Sequence, residues 1–372
     1  MYMNKKTHKI FLIAGARPNF IKIAPIFHEF EKRQERFDVK IIHTGQHYDY
    51  AMSQVFFEQF GLPEPDFFLD VGSGSHGYQT ANILLEIERL IISENPELVI
   101  VVGDVNSTLA AALAAVKLDI PIAHVEAGLR SFDVKMPEEI NRILTDRISN
   151  LLFVSEPSGI ENLKNEGIDN KKMHLVGNVM IDSLVFNLPR IMEISYFEKL
   201  DLEANKFGLV TLHRPSNVDS GESLKKVISI LKLASENKTL LFPAHPRTMK
   251  NIDKFGLKKE LDSIRNLIIS EPIGYLDFMN LMVNSGIMIT DSGGIQEETT
   301  YLGIPCITLR NSTERPITIT HGTNEVTGLE IEKFRIALEH TAYFQKKCYQ
   351  PPALWDGKAS GRIVEIIGEF LN

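Results

Sequence analysis

Short apolar runs alternate with longer amphipathic stretches along almost the whole chain. In the first half, the runs at 9–14, 39–44, 98–103, 120–126 and 151–154 have the length and β-branched content of buried strands. The spacing between them predicts helices over 20–34, 50–60, 77–94, 106–117 and 137–149. The second half repeats the alternation, with strands at 208–212, 239–243, 267–270, 286–290 and 305–309 and helices near 221–235, 275–284 and 293–302. Buried strands alternating with helices predict parallel sheets covered on both faces.

A helix-like segment and a charged stretch within 178–205 separate the two alternations, and a final helix is expected over 358–371. The expected organisation is an N-terminal α/β domain over 1–178 and a C-terminal α/β domain over 179–355. The remaining segment, 356–372, is expected to be a helix packing back on the first domain. The fold class is therefore α/β, as two open Rossmann-like domains facing a cleft.

Composition narrows the function more than the fold. A chain of 372 residues with 44% hydrophobic and 24% charged positions has the balance of a soluble two-domain protein. Its net charge of −8 gives no general attraction to nucleic acid or anionic lipid. No apolar run approaches the roughly 18 residues of a membrane span. The apolar stretch Ile10 to Gly15 is too short for a secretory signal and suits a first strand. Two distant cysteines, Cys306 and Cys348, point away from a disulfide framework or a zinc site and toward the cytoplasm.

The informative residues follow the strands, where open α/β sheets bind ligands. Arg17, Gln46, Asp104 and Glu126 should gather at one edge of the first sheet. Pro137-Glu138-Glu139 reads as a helix start whose acids complement the dipole. In the second half, Ser292-Gly293-Gly294 joins a strand to a helix, so backbone N–H groups are open to a phosphate. Glu298 lies within that helix, where a carboxylate can accept from ribose hydroxyls. The turn is neither a Walker A loop nor a dinucleotide fingerprint. His213-Arg214 and His245-Pro246-Arg247 follow strands and suit a diphosphate better than a metal. Thr313-Glu314-Arg315-Pro316 is a further charged turn.

Taken together, these stretches resemble the non-hydrolysing UDP-N-acetylglucosamine 2-epimerase family. The resemblance rests on Gly15-Ala16-Arg17-Pro18-Asn19, Gly103-Asp104-Val105-Asn106-Ser107-Thr108 and His124-Val125-Glu126-Ala127-Gly128-Leu129-Arg130. It continues through Pro137-Glu138-Glu139-Ile140-Asn141-Arg142, Leu212-His213-Arg214, Asp291-Ser292-Gly293-Gly294-Ile295-Gln296-Glu297-Glu298 and Thr313-Glu314-Arg315-Pro316. The resemblance implies a glycosyltransferase-B-like architecture and a UDP-sugar substrate. It also implies inversion at C2 through elimination of UDP to a bound glycal and re-addition.

By matching position it assigns catalytic roles to Asp104, Glu126, Glu138 and His213. Substrate or UDP contacts are assigned to Arg17, Lys22, Arg142, Ser292, Gly293, Gly294 and Glu298. It implies a homodimer and no cofactor, metal or nicotinamide. Hydrolysing relatives differ in the first loop and lack the Ala-Gly-Leu-Arg ending. Two departures stand out: Ile317 replaces a frequent glutamate, and Gln46-His47 continues as Tyr48-Asp49-Tyr50, which leaves activation by a second substrate molecule unsupported. A UDP-2,3-diacetamido-glucuronate 2-epimerase and a glycosyltransferase of the same fold are the alternatives.

Overall fold

The structure, a computed structural model, describes residues 7–45, 57–344 and 348–372. These form two compact units, one within 1–186 and 353–372 and the other within 187–352.

The first unit contains β1 (His8–Ala14), α1 (Arg17–Glu31), β2 (Phe37–His43), β3 (Phe67–Phe68), α2 (His76–Glu94) and β4 (Leu98–Val102). It continues with α3 (Asn106–Lys117), β5 (Ile122–Ala127), α4 (Pro137–Ile148), β6 (Leu151–Val154), α5 (Pro157–Asn165) and β7 (Met173–Leu175). Helix α6 (Val179–Glu193) then runs across the boundary into the second unit. The seven strands form a parallel sheet in the order β3-β2-β1-β4-β5-β6-β7. All five residues of β4 are buried, as a strand with helices on both faces requires.

The second unit holds β8 (Phe207–Thr211), α7 (Gly221–Ala234), β9 (Thr239–Pro243), α8 (Pro246–Lys254), β10 (Leu267–Ser270) and α9 (Tyr275–Val283). Next come β11 (Ile287–Thr290), α10 (Gly293–Leu302), β12 (Cys306–Thr308), β13 (Asn324–Val326) and α11 (Ile331–Thr341). Its parallel sheet runs β10-β9-β8-β11-β12-β13. A core of Val210, Leu224, Ile228, Phe242, Ile289 and Phe334 joins that sheet to its helices.

The chain returns to the first unit as α12 (Ala359–Phe370), which packs on α1. Asp182 of α6 caps it, accepting from the N–H groups of Ala359 at 3.1 Å and Ser360 at 2.6 Å. The two alternations read from the sequence are thus two parallel α/β sheets. Strands β3, β7 and β13 were not expected; with two or three residues each they are too short for a periodicity to show. Of the helix expected over 50–60, residues 57–60 are helical and 50–56 lie outside the described residues. Among the described residues, no helix is long and apolar enough to cross a membrane.

Candidate active site

In both sheets the strand order reverses once, between β1 and β4 in the first and between β8 and β11 in the second. Beyond the carboxyl ends of strands at such a point, an open α/β sheet leaves a crevice for ligand. The polar groups of each unit collect there.

In the first unit, β5 contains a bulge between Val125 and Ala127, and the extra residue is Glu126. Its φ is +69°, a left-handed conformation that costs a non-glycine residue roughly 1–3 kcal/mol and re-aims the side chain. Glu126 is buried, and its Oε2 accepts from the Nζ of Lys22 on α1. The other carboxylate oxygen, Oε1, is buried without a hydrogen-bond partner among the described residues. Gly103, at φ +67°, makes the pair feasible: a Cβ there would stand 2.9 Å from Lys22 Nζ. Asn19 fastens the neighbouring loop, accepting from Ala16 N at 2.9 Å and donating to the Val102 carbonyl at 3.1 Å.

Asp104 follows β4, and its part-exposed carboxylate accepts from Arg142 Nη1 at 2.5 Å. Arg142 also donates to Glu139 Oε2, at 3.0 Å from Nε and 2.7 Å from Nη2. Glu139 accepts in addition from the N–H groups of Ser131 at 2.9 Å and Phe132 at 2.8 Å. Burial alone would raise the Glu139 carboxyl, but these donors and the Arg142 charge hold it below the usual range. Glu139 is therefore the fastener of the 131–132 loop. Its neighbour Glu138, also in the first turn of α4, is half-buried and has no hydrogen-bond or ion-pair partner among the described residues.

In the second unit, His213 follows β8 and Asp291 follows β11. Asp291 is buried and accepts from the N–H groups of His213 and Arg214, from Asn217 Nδ2 at 3.0 Å and from His213 Nδ1 at 3.2 Å. Burial works to raise its carboxyl, but the His213 bonds and charge and the two N–H groups outweigh it and lower it. The half-exposed His213 ring is thereby fixed at the sheet edge.

Helix α10 begins at Gly293 after Ser292, with no side-chain cap and no acid in its first turn. Its first N–H groups keep the positive end of the dipole open to an anion. A Cβ on Gly293 would lie 2.6 Å from Arg315 Nη1 and 3.0 Å from Glu314 Oε1, so a larger residue there would have to displace that ion pair. Arg315 contacts Glu314 at 2.5 Å and Glu297 at 2.7 Å, and Arg310 meets Glu314 at 2.8 Å. Glu298, one residue further along α10, is fully enclosed. Burial and the Glu297 charge push its carboxyl up to about 8, against a hydrogen bond from Tyr275.

A sequence model of the UDP-N-acetylglucosamine 2-epimerase family matches residues 29–368. The chain belongs to that family. A solved structure of Methanocaldococcus jannaschii UDP-GlcNAc 2-epimerase in complex with UDP-GlcNAc and UDP is 43% identical, with a TM-score of 0.88 over 97% of this chain and 99% of that one. A UDP-2,3-diacetamido-2,3-dideoxy-D-glucuronate 2-epimerase of Pseudomonas aeruginosa is 43% identical over 97% of this chain and the whole of that one. Acinetobacter baumannii MurG, 12% identical over 98% of this chain and 100% of that one, has a TM-score of 0.55, which shows the glycosyltransferase-B fold alone.

Within this epimerase-family frame, the residues singled out in the sequence fall into two groups. Lys22, Asp104, Glu126, Glu138 and Arg142 lie in the first unit, where Arg17 opens α1. His213, Ser292, Gly293, Gly294 and Glu298 lie in the second. Gln46 is outside the described residues. His245 and Arg247 have local partners: His245 caps α8 by accepting from Arg247 N at 3.2 Å, and Arg247 Nε pairs with Asp219 at 3.0 Å. Asp291 was not among the predicted site residues. Its signal was an acid directly after a strand and before Ser-Gly-Gly.

Proposed function

We propose that this protein interconverts UDP-N-acetylglucosamine and UDP-N-acetylmannosamine by inverting C2. UDP leaves across C1–C2 to give a bound glycal and re-adds after protonation from the other face. The observation that supports this best is the group of carboxylates at the ends of β4 and β5 and the start of α4. Among the described residues, Asp104 is held by Arg142, Glu126 is held by Lys22 with one oxygen unpaired, and Glu138 has no partner.

The C2 proton is not acidic, so its removal and return need positioned bases and acids. These three residues are assigned to that work, with His213 beside the departing diphosphate. Ser292, Gly293 and Gly294 offer the N-terminus of α10 to the phosphates, where a developing negative charge is stabilised. Arg17, Lys22 and Arg142 are assigned to substrate contact or to holding the carboxylates, and Glu298 to the ribose.

A second reading, on a diacetamido-uronate UDP-sugar, is favoured by the Pseudomonas relative, as similar as the archaeal one. Turnover measured on both UDP-sugars separates the two. The stated reading predicts the larger kcat/KM on UDP-N-acetylglucosamine, and the reverse order overturns it.

The working form is proposed to be a cytoplasmic homodimer. Exposed Tyr78, Leu85 and Ile92 recur at seven-residue spacing on α2, which supports a partner face. Light scattering at micromolar concentration tests this, and a monomer mass contradicts it.

A further inference from the structure

His124 is fully buried in β5 and makes two ring contacts. Nε2 lies 2.8 Å from the Gly103 carbonyl oxygen, and Nδ1 lies 2.7 Å from Asp146 Oδ1. A carbonyl only accepts, so Nε2 is the donor in the first bond. Asp146 is an acceptor too: its Oδ2 takes the Gly128 N–H at 3.0 Å and meets Arg130 Nη1 at 2.7 Å. Nδ1 therefore faces a carboxylate that Arg130 also holds, and Arg130 in turn donates from Nε to Glu166 at 2.7 Å.

Three segments of chain meet at this pair. Gly103 directly precedes Asp104 at the end of β4. Gly128 lies two residues beyond Glu126 at the end of β5. Asp146 is on α4, whose first turn holds Glu138. Each carboxylate assigned to proton transfer is thus tied to a group bonded by His124 or Asp146.

We propose that His124, backed by Asp146, is a positioning residue for epimerisation, its Nε2–H fixing the Gly103 carbonyl and with it the placement of Asp104 and the Lys22–Glu126 pair. This rests on the reaction proposed above. A reacting group displaced by about 1 Å can cost roughly 100-fold in rate. The diphosphate turn at Ser292–Gly294 is untouched, so the loss falls on kcat rather than on KM.

Two isosteric variants separate positioning from simple support. In His124→Gln the amide nitrogen falls near the Nε2 position and keeps the donor to Gly103. In His124→Asn it falls near Nδ1, keeps the bond to Asp146 and loses Gly103. With UDP-N-acetylglucosamine as the probe, His124→Asn is expected to lower kcat by roughly 100-fold with KM within about threefold, and His124→Gln to retain kcat within about tenfold. Equal losses in the two variants, or a loss confined to KM, overturn the inference.

A measurement on the unaltered protein stands even if neither variant folds. The nitrogen-15 spectrum of its histidine rings should show His124 carrying a proton on Nε2, and a bare Nε2 on His124 overturns the clamp. A wild type that fails to epimerise the sugar sinks the reaction instead, while the ring spectrum still decides the clamp.

Discussion

Lys22 and Glu126, 104 residues apart in the chain, form an ion pair in the interior of the first unit, and the second oxygen of Glu126 has no hydrogen-bond partner among the described residues. Removing one partner of such a pair leaves the other charge buried and uncompensated. Lys22→Met should therefore lower stability by about 3–5 kcal/mol, read from urea unfolding. Adding Glu126→Gln to it should recover part of the loss, because the pair contributes only as a pair. Additive losses would mean that the two residues are not coupled.

Glu138 and Glu139 adjoin in one helical turn but should fail in opposite ways. Glu138→Gln is expected to lower kcat by roughly 100- to 10,000-fold with thermal unfolding unchanged, since its carboxylate has no partner among the described residues. Glu139→Gln weakens the bonds to Ser131, Phe132 and Arg142 and should cost roughly 1–3 kcal/mol of stability. Paired thermal melts and initial rates distinguish them. A stable, inactive Glu139→Gln would reassign the roles.

Glu298 makes stability depend on pH. Unfolded, its carboxyl ionises near its ordinary value of 4.5, whereas the folded group holds its proton up to about 8. The contribution of the neutral form is complete below pH 4.5 and is lost as pH rises to 8. Glu298→Gln lacks this titration. It should melt a few degrees above wild type at pH 9, with the difference vanishing at pH 4. Parallel melting curves at both pH values would show that the enclosed carboxyl does not titrate this way.

Much of this was legible in the chain, and the reason is physical. Leu98–Val102 is an unbroken apolar run with a buried residue at every position, so the polar residue after it, Asp104, marks the carboxyl end of a strand. The same logic located His213 after β8 and Ser292 after β11. Pairing was not legible. Nothing in a linear pattern turns Arg142 back to Asp104, or lays Arg315 against Gly293. The left-handed turn at Glu126 is hidden because its neighbours read as one continuous strand. In the same way, Glu138 and Glu139 look alike as helix-start acids, and only the loop folded onto Glu139 tells them apart.

Proton exchange at the inverted carbon is the core of the proposed chemistry. The protein should be incubated with UDP-N-acetylglucosamine in D2O and the sugar followed by proton NMR. The account predicts UDP-N-acetylmannosamine with deuterium at C2, and loss of both signals in Asp104→Asn and Glu126→Gln. Formation of the epimer with its original C2 hydrogen retained would contradict it.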